Sequence, residues 1–112
     1  MSSAATKHFV MQRFTAMIQV PLVIWLVISL VRHARDTHTE VMAWIGEPLT
    51  AGLMILLMMS VFYHMHLGMA EVIDDYIHKK TGRSALMMLN ILFALILAAI
   101  GIFSVIAITL IV

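Results

Sequence analysis

Three long apolar stretches constrain this chain more than any other feature of its sequence. They cover about residues 14–31, 49–73 and 86–112. A helix of ~20 apolar residues, rising 1.5 Å per residue, crosses the ~30 Å hydrocarbon layer of a bilayer. Backbone groups inside lipid must satisfy their own hydrogen bonds, and the alternation expected of a β-barrel strand is absent. The sequence therefore predicts an all-α protein with three transmembrane helices, forming a single domain over residues 1–112.

The composition favours a membrane protein over a soluble one. Of the 112 residues, 62% are apolar and only 12% are charged. A soluble domain of this length has too small an interior to bury so much apolar surface. The formal net charge of +1 provides no strong field for binding nucleic acid, and the absence of cysteine excludes disulfides and cysteine-ligated metals. We expect lipid, and no nucleic acid, as a partner of this chain.

The N-terminal segment resembles a signal peptide in part, because basic residues precede the first apolar stretch. That stretch, however, ends in the basic segment 31–35, and it lacks a cleavage motif of small residues. We therefore expect a retained transmembrane helix. No segment rich in arginine and serine precedes it, which favours a bacterial inner-membrane protein over an imported organellar one.

The distribution of basic residues predicts the orientation in the membrane. With three spans, the N-terminal segment and the second loop share one side, and this side carries five basic residues against two in the first loop. The positive-inside rule places the N-terminus and the second loop in the cytoplasm. The five are Lys7, Arg13, Lys79, Lys80 and Arg83, and the two are Arg32 and Arg35.

The second apolar stretch carries a polar stripe. At 100° per residue, His64, Gly68, Glu71 and Asp75 lie within about 60° of one another on one helix face. His64 and Asp75 are about 16 Å apart along the helix axis. Because polar groups are costly at bilayer depth, they usually face protein or a cavity. We expect this stripe to face neighbouring helices rather than lipid.

The two histidines of this stretch have different expected roles. An imidazole with a glycine one turn away suits haem binding, because the ring supplies a nitrogen to iron and the glycine lets a macrocycle approach the backbone. Spacing alone favours the plainer alternative, in which His64 makes an interhelical hydrogen bond. His66 lies about 200° around the helix from His64, so we expect it to make a polar contact to another helix.

Residues 63–76 carry a family resemblance. The segment reads Tyr-His-Met-His-Leu-Gly-Met-Ala-Glu-Val-Ile-Asp-Asp-Tyr. It resembles the small hydrophobic membrane anchor (the cytochrome b small subunit) of succinate dehydrogenase, respiratory complex II, in its His-x-x-x-Gly-Met pattern followed by Asp-Tyr. The Gln-Arg-Phe-Thr-Ala segment at 12–16 resembles the start of that family's first helix. The resemblance implies a three-helix membrane anchor that forms half of a heterodimeric helix bundle.

The resemblance also implies roles for individual residues. His64 would give one axial ligand to haem b, and the larger cytochrome b subunit would give the other. Tyr76 would hydrogen-bond a ubiquinone carbonyl, and Asp75 would deliver protons to the reduced quinone. Arg13 would lie near the haem propionates. Beyond proton delivery by Asp75, the resemblance implies no catalytic residue in this chain.

Neighbouring residues leave some of these assignments open. His66 offers a competing imidazole, although the spacing to Gly68 and Asp75 favours His64. Asp74 offers a competing carboxylate. A tyrosine hydroxyl can donate to a quinone oxygen, and a partly desolvated carboxylate can transfer protons. The alternative for residues 74–76 is an ordinary helix end with a tyrosine at the membrane interface.

The function that the resemblance implies is that of a non-flavin membrane subunit of succinate:ubiquinone oxidoreductase in the respiratory chain and the tricarboxylic acid cycle. Its partners would be the larger cytochrome b subunit, an iron–sulfur subunit and a flavoprotein subunit that oxidises succinate. Three alternatives remain: the anchor of a fumarate reductase, a small proton-conducting transporter subunit using Glu71 and His64, and a purely structural assembly partner. The sequence does not determine the physiological direction, the quinone type or the oligomeric state.

Overall fold

The computed structural model describes residues 3–112, with side chains from residue 5 onward. This part of the chain contains helices and no strand. Three of the helices are long and apolar enough to cross a membrane, which confirms the prediction of an all-α, three-span protein. The helices are α1 (Ser3–Arg32), α2 (His38–Gly46), α3 (Pro48–Tyr76) and α4 (Lys80–Ile111).

The helices extend beyond the apolar stretches seen in the sequence. α1 begins well before residue 14, and α3 continues past residue 73 to Tyr76. The second loop, between α3 and α4, is short and covers residues 77–79. Hydropathy marks only the part of a helix that crosses hydrocarbon. Lysine, arginine and glutamate are good helix formers, so the helices continue into the polar region.

The short helix α2 follows a tight connection after α1. Its N-cap is Thr37, whose hydroxyl accepts from the backbone N–H of Glu40, while the Glu40 carboxylate accepts from the backbone N–H of Thr37. This reciprocal pair satisfies two N–H groups that the first turn would otherwise leave free. Trp44 on α2 stacks on the His33 ring, with 4.4 Å between the ring centroids. The connection between the first two apolar stretches therefore contains an ordered helix around Trp44.

α3 is the central helix of the fold. It packs against α1 on one side and against α4 on the other, and α2 packs against α3 and α4. Small side chains allow the close contact between α3 and α4. A Cβ at Gly101 of α4 would clash with the sulfur of the flexible Met58 side chain of α3 as it is placed here. The side chains of α3 therefore line two interhelical interfaces, which we call the α1–α3 seam and the α3–α4 seam.

Most of the large apolar side chains lie on the outside of this bundle. Val31, Phe103 and Leu110 are among those that are more than two-thirds exposed, and few large side chains are buried. An apolar exterior of this extent is stable in lipid or beneath other transmembrane helices, and not in water. The bundle is therefore built to lie in a membrane and leaves broad faces for partner helices.

Candidate functional site

His64 points from α3 into the seam with α1. Its Nδ1 atom lies 2.9 Å from the hydroxyl oxygen of Thr15, and Thr15 is only 5% exposed. The same hydroxyl lies 2.9 Å from the backbone carbonyl of Met11, one turn earlier on α1. The interhelical hydrogen bond that spacing alone favoured for His64 is thus present.

The neighbouring acceptors favour one assignment of the protons in this contact. The Thr15 hydroxyl has one proton and lies within hydrogen-bond distance of two backbone carbonyls that can only accept it, those of Met11 at 2.9 Å and Gln12 at 3.1 Å. The hydroxyl oxygen then accepts from Nδ1–H of His64, which leaves the lone pair of the neutral ring on Nε2. Among the described residues, no hydrogen bond engages Nε2 and the atom is not fully enclosed. In this tautomer His64 presents a nitrogen lone pair of the kind that can bind a metal.

Two further polar contacts hold α1 and α3 together around His64. The Ser60 hydroxyl donates to the backbone carbonyl of Thr15 at 3.0 Å, and the Gln19 amide donates to the backbone carbonyl of Ser60 at 3.3 Å. In lipid no water competes for these groups, so such contacts fix the register of two helices. Sequence reasoning missed Ser60 and Gln19. A usable signal was their spacing, since Ser60 lies one turn from His64 and Gln19 lies one turn from Thr15.

Gly68 lies one turn beyond His64 and faces the side chain of Gln12. A Cβ at Gly68 would lie 3.4 Å from the Gln12 amide nitrogen. The Gln12 amide oxygen is buried and has no hydrogen-bond partner. Buried polar atoms rarely lack a partner, so this oxygen marks a place where a group from outside the chain would complete the seam.

His66 lies on the opposite side of α3 and contacts α4. Asn90 donates one amide hydrogen to the His66 backbone carbonyl at 2.9 Å and lies 3.1 Å from His66 Nδ1. The carbonyl can only accept, which fixes the orientation of the Asn90 amide and makes Nδ1 an acceptor. The expected polar contact to another helix is confirmed. His66 therefore carries its proton on Nε2, the opposite tautomer to that of His64.

The polar stripe of α3 divides into two parts in the structure. His64 and Gly68 are half-buried against α1, whereas Glu71 and Asp75 are exposed. Neither carboxylate makes a hydrogen bond or an ion pair with the described part of the chain. The outer end of the stripe is thus open to lipid headgroups or to another subunit.

Asp74 and Asp75 have different surroundings. Asp74 accepts a hydrogen bond of 2.9 Å from Nε of Arg83 and forms an ion pair with the same guanidinium, which bridges α3 and α4 across the turn at 77–79. Asp75 has no such partner among the described residues. The ion pair of Asp74 therefore links the two helices across the turn, and Asp75 is the carboxylate without a partner among the described residues.

Tyr76 lies at the end of α3 and is 76% exposed. It borders an open apolar groove of about 760 Å³ between α3 and α4, whose walls include Ile73, Leu86 and Phe93. Asp75 does not line this groove. Tyr76 thus lies at the apolar groove, and the unpaired carboxylate of Asp75 is on the preceding residue.

Arg13 is exposed on α1, with its guanidinium carbon 5.1 Å from the centroid of the Phe9 ring. It has no acidic partner in the described part of the chain. Three or more histidine, cysteine, aspartate or glutamate side chains do not come together anywhere within residues described by the structure.

Comparisons with known proteins agree with the resemblance in the sequence. Residues 1–103 match the family described as succinate dehydrogenase/fumarate reductase transmembrane subunit. A protein named succinate dehydrogenase hydrophobic membrane anchor subunit from Rickettsia conorii is 25% identical over 96 residues, covering 85% of this chain and 76% of the relative. Proteins of the same name from Rickettsia bellii and Rickettsia felis are 26% and 25% identical, covering 85% and 87% of this chain and 76% and 81% of the relatives. No solved structure is significantly similar to the chain.

Proposed function

Because the chain belongs to the family of succinate dehydrogenase and fumarate reductase transmembrane subunits, we propose that it is the membrane anchor subunit of a succinate:ubiquinone oxidoreductase. The three helices long and apolar enough to cross a membrane hold 28, 29 and 32 residues, which is most of the described chain. Succinate oxidation would then take place on a flavoprotein subunit, with an iron–sulfur subunit passing electrons to the membrane. A fumarate reductase anchor would share this architecture, since direction depends on the redox potentials of the cofactors.

His64 is the residue we propose as an axial ligand of haem b. The observation that carries this proposal is the Thr15 contact, which leaves the Nε2 lone pair of His64 free. The donor set fits the group, because a neutral imidazole whose other nitrogen is hydrogen-bonded is the usual form of a histidine ligand. Haem b, when bound, supplies a one-electron iron centre. The second axial ligand would come from the larger cytochrome b subunit.

The surroundings of His64 support this proposal in two further ways. Gly68, one turn beyond His64, carries no side chain, and a Cβ there would meet only the Gln12 amide nitrogen at 3.4 Å, so this face of α3 admits the close approach of a flat group. His66 fits the ligand role less well, because its Nδ1 is engaged by Asn90 and its Nε2 carries the proton. Arg13 remains our proposal for a contact to the haem propionates, since its charge has no acidic partner among the described residues.

Tyr76 and Asp75 are the residues we propose at the ubiquinone-reduction site. The exposed Tyr76 hydroxyl would donate a hydrogen bond to one quinone carbonyl. The free Asp75 carboxyl would deliver protons as the quinone takes up two electrons and two protons to become the quinol. The Arg83 pairing of Asp74 supports Asp75 as the acid. The site would be completed by the iron–sulfur and cytochrome b subunits.

The alternative of a proton-conducting transporter has little support in the structure. Glu71 lies seven residues after His64, about 10 Å further along the helix, and is exposed. No side chain in the described residues links Glu71 to His64 by hydrogen bonds. A continuous relay through this chain alone is therefore not formed.

The orientation follows the same proposal. The N-terminus and the turn at 77–79 would face the cytoplasm of a bacterial cell, on the side where the soluble subunits dock.

Purification of the tagged chain from its membrane in mild detergent tests the function. We expect three further subunits to co-purify, together with flavin bound covalently or non-covalently. We also expect the absorption bands of haem b in the optical spectrum. A chain that purifies alone, without flavin or haem, would contradict the proposal.

A further inference from the structure

We propose that Thr15 is a positioning residue for His64: its hydroxyl fixes the tautomer and orientation of the imidazole and thereby lowers the redox potential of the haem that this ring would hold. The inference rests on the proposed ligand role of His64 and deepens it. It concerns a residue that does not touch the iron and acts only through the ring.

Hydrogen bonds to both the hydroxyl and the backbone carbonyl of Thr15 hold this residue in place. The hydroxyl lies 2.9 Å from the backbone carbonyl of Met11 and 3.1 Å from that of Gln12, and the backbone carbonyl of Thr15 itself accepts from Ser60 at 3.0 Å. The residue is 5% exposed, and its branched Cβ restricts rotation about χ1. With two carbonyls on α1 to accept the hydroxyl proton, the hydroxyl oxygen is left to accept from His64.

A fixed acceptor at Nδ1 has two consequences for the imidazole. It selects the tautomer with the proton on Nδ1, so the lone pair is on Nε2 before any metal arrives. It also draws the Nδ1 proton toward oxygen and makes the ring a stronger electron donor. Because the hydroxyl donates to a carbonyl at the same time, the two hydrogen bonds strengthen each other. A stronger donor stabilises ferric iron over ferrous iron, which lowers the midpoint potential.

Asn90 and His66 provide an internal contrast. At His66 the neighbouring group is the Asn90 amide, which donates. Nδ1 of His66 therefore accepts, and its proton lies on Nε2. The fold thus holds two histidines, two residues apart, in opposite tautomers. Only the one that faces α1 has a nitrogen lone pair free for a metal.

The redox test compares Thr15→Val, Thr15→Ser and Asn90→Leu in the intact complex. Valine keeps the branched shape and removes the acceptor, so we expect haem to be retained with a raised midpoint potential and altered electron paramagnetic resonance g-values. Serine keeps the hydroxyl and should restore the potential toward wild type. Asn90→Leu, which acts on the other histidine, should leave the potential unchanged.

A second measurement separates this inference from the proposed function. In the haem-free full chain in detergent, nitrogen-15 NMR of labelled histidine reports the tautomer of His64 directly. We expect Nδ1–H in the wild type and a shift toward Nε2–H in Thr15→Val. If the tautomer shifts while the haem potential stays constant, Thr15 positions His64 but does not tune the haem, and the proposed effect on the potential is overturned. The ligand role of His64 itself fails only if His64→Ala retains haem. If Thr15→Val changes neither quantity, the positioning role of Thr15 is overturned even where His64→Ala loses haem.

Discussion

The side-chain amide nitrogen of Asn90 on α4 contacts His66 on α3 at two points. It lies 2.9 Å from the backbone carbonyl oxygen of His66 and 3.1 Å from Nδ1 of the His66 ring. This paired contact fastens two of the three helices that are long and apolar enough to cross a membrane. It also occupies the histidine that competes with His64 for the ligand role. The α3–α4 seam is thus structural, and the α1–α3 seam is where the chain offers a free imidazole nitrogen.

The contact between Asn90 and His66 predicts a stability effect without a haem effect. Asn90→Leu should destabilise the bundle by about 1 kcal/mol, the usual size of an interhelical hydrogen bond in membranes. Thermal unfolding of the purified complex, followed by circular dichroism, measures this. Haem content per complex should stay at the wild-type value. Loss of haem together with an unchanged melting temperature would show that Asn90 serves the cofactor rather than the helix pair.

The exposed phenol of Tyr76 predicts a defect confined to quinone chemistry. Tyr76→Phe removes the hydroxyl donor and keeps the ring beside the groove. We expect succinate-driven ubiquinone reduction to fall by about tenfold, the cost of one hydrogen bond of about 1.4 kcal/mol. Reduction of an artificial dye that takes electrons from the soluble subunits is the control, and its rate should be unchanged. An equal fall in both rates would indicate defective assembly.

The two adjacent carboxylates predict opposite outcomes when each is replaced. Asp75→Asn removes the free acid and should slow quinone reduction, with the loss growing as pH rises because fewer protons are supplied by solvent. Asp74→Asn removes the partner of Arg83 and should loosen the turn at 77–79 while retaining most of the quinone reductase rate. Assays of both variants across a pH series make the comparison. A larger rate loss in Asp74→Asn than in Asp75→Asn would reverse the assignment.

The fold was largely predictable because hydropathy is a local property of the sequence. Three apolar stretches predicted three spans, and the helical period alone placed His64 and Gly68 on one face. Helix ends were less predictable. Charged residues near residue 74 and residue 80 suggested a loop, but such residues also continue helices in the polar region.

The partners of the two histidines could not be predicted from the sequence. Whether His64 meets Thr15 and His66 meets Asn90 depends on which helices pack together and in which register. The tautomers follow only from those contacts. Asp75 and Tyr76 are exposed in this chain, whereas the sequence predicted that the stripe containing Asp75 faces neighbouring helices. The quinone site that we propose would be completed by partner subunits.

The most direct test of the ligand assignment is haem content in two matched variants. His64→Ala and His66→Ala each remove one imidazole from the same helix, two residues apart. In purified complex with equal subunit composition, the pyridine haemochrome spectrum should show haem b lost in His64→Ala and retained in His66→Ala. Full haem in His64→Ala, or loss only in His66→Ala, would contradict the account.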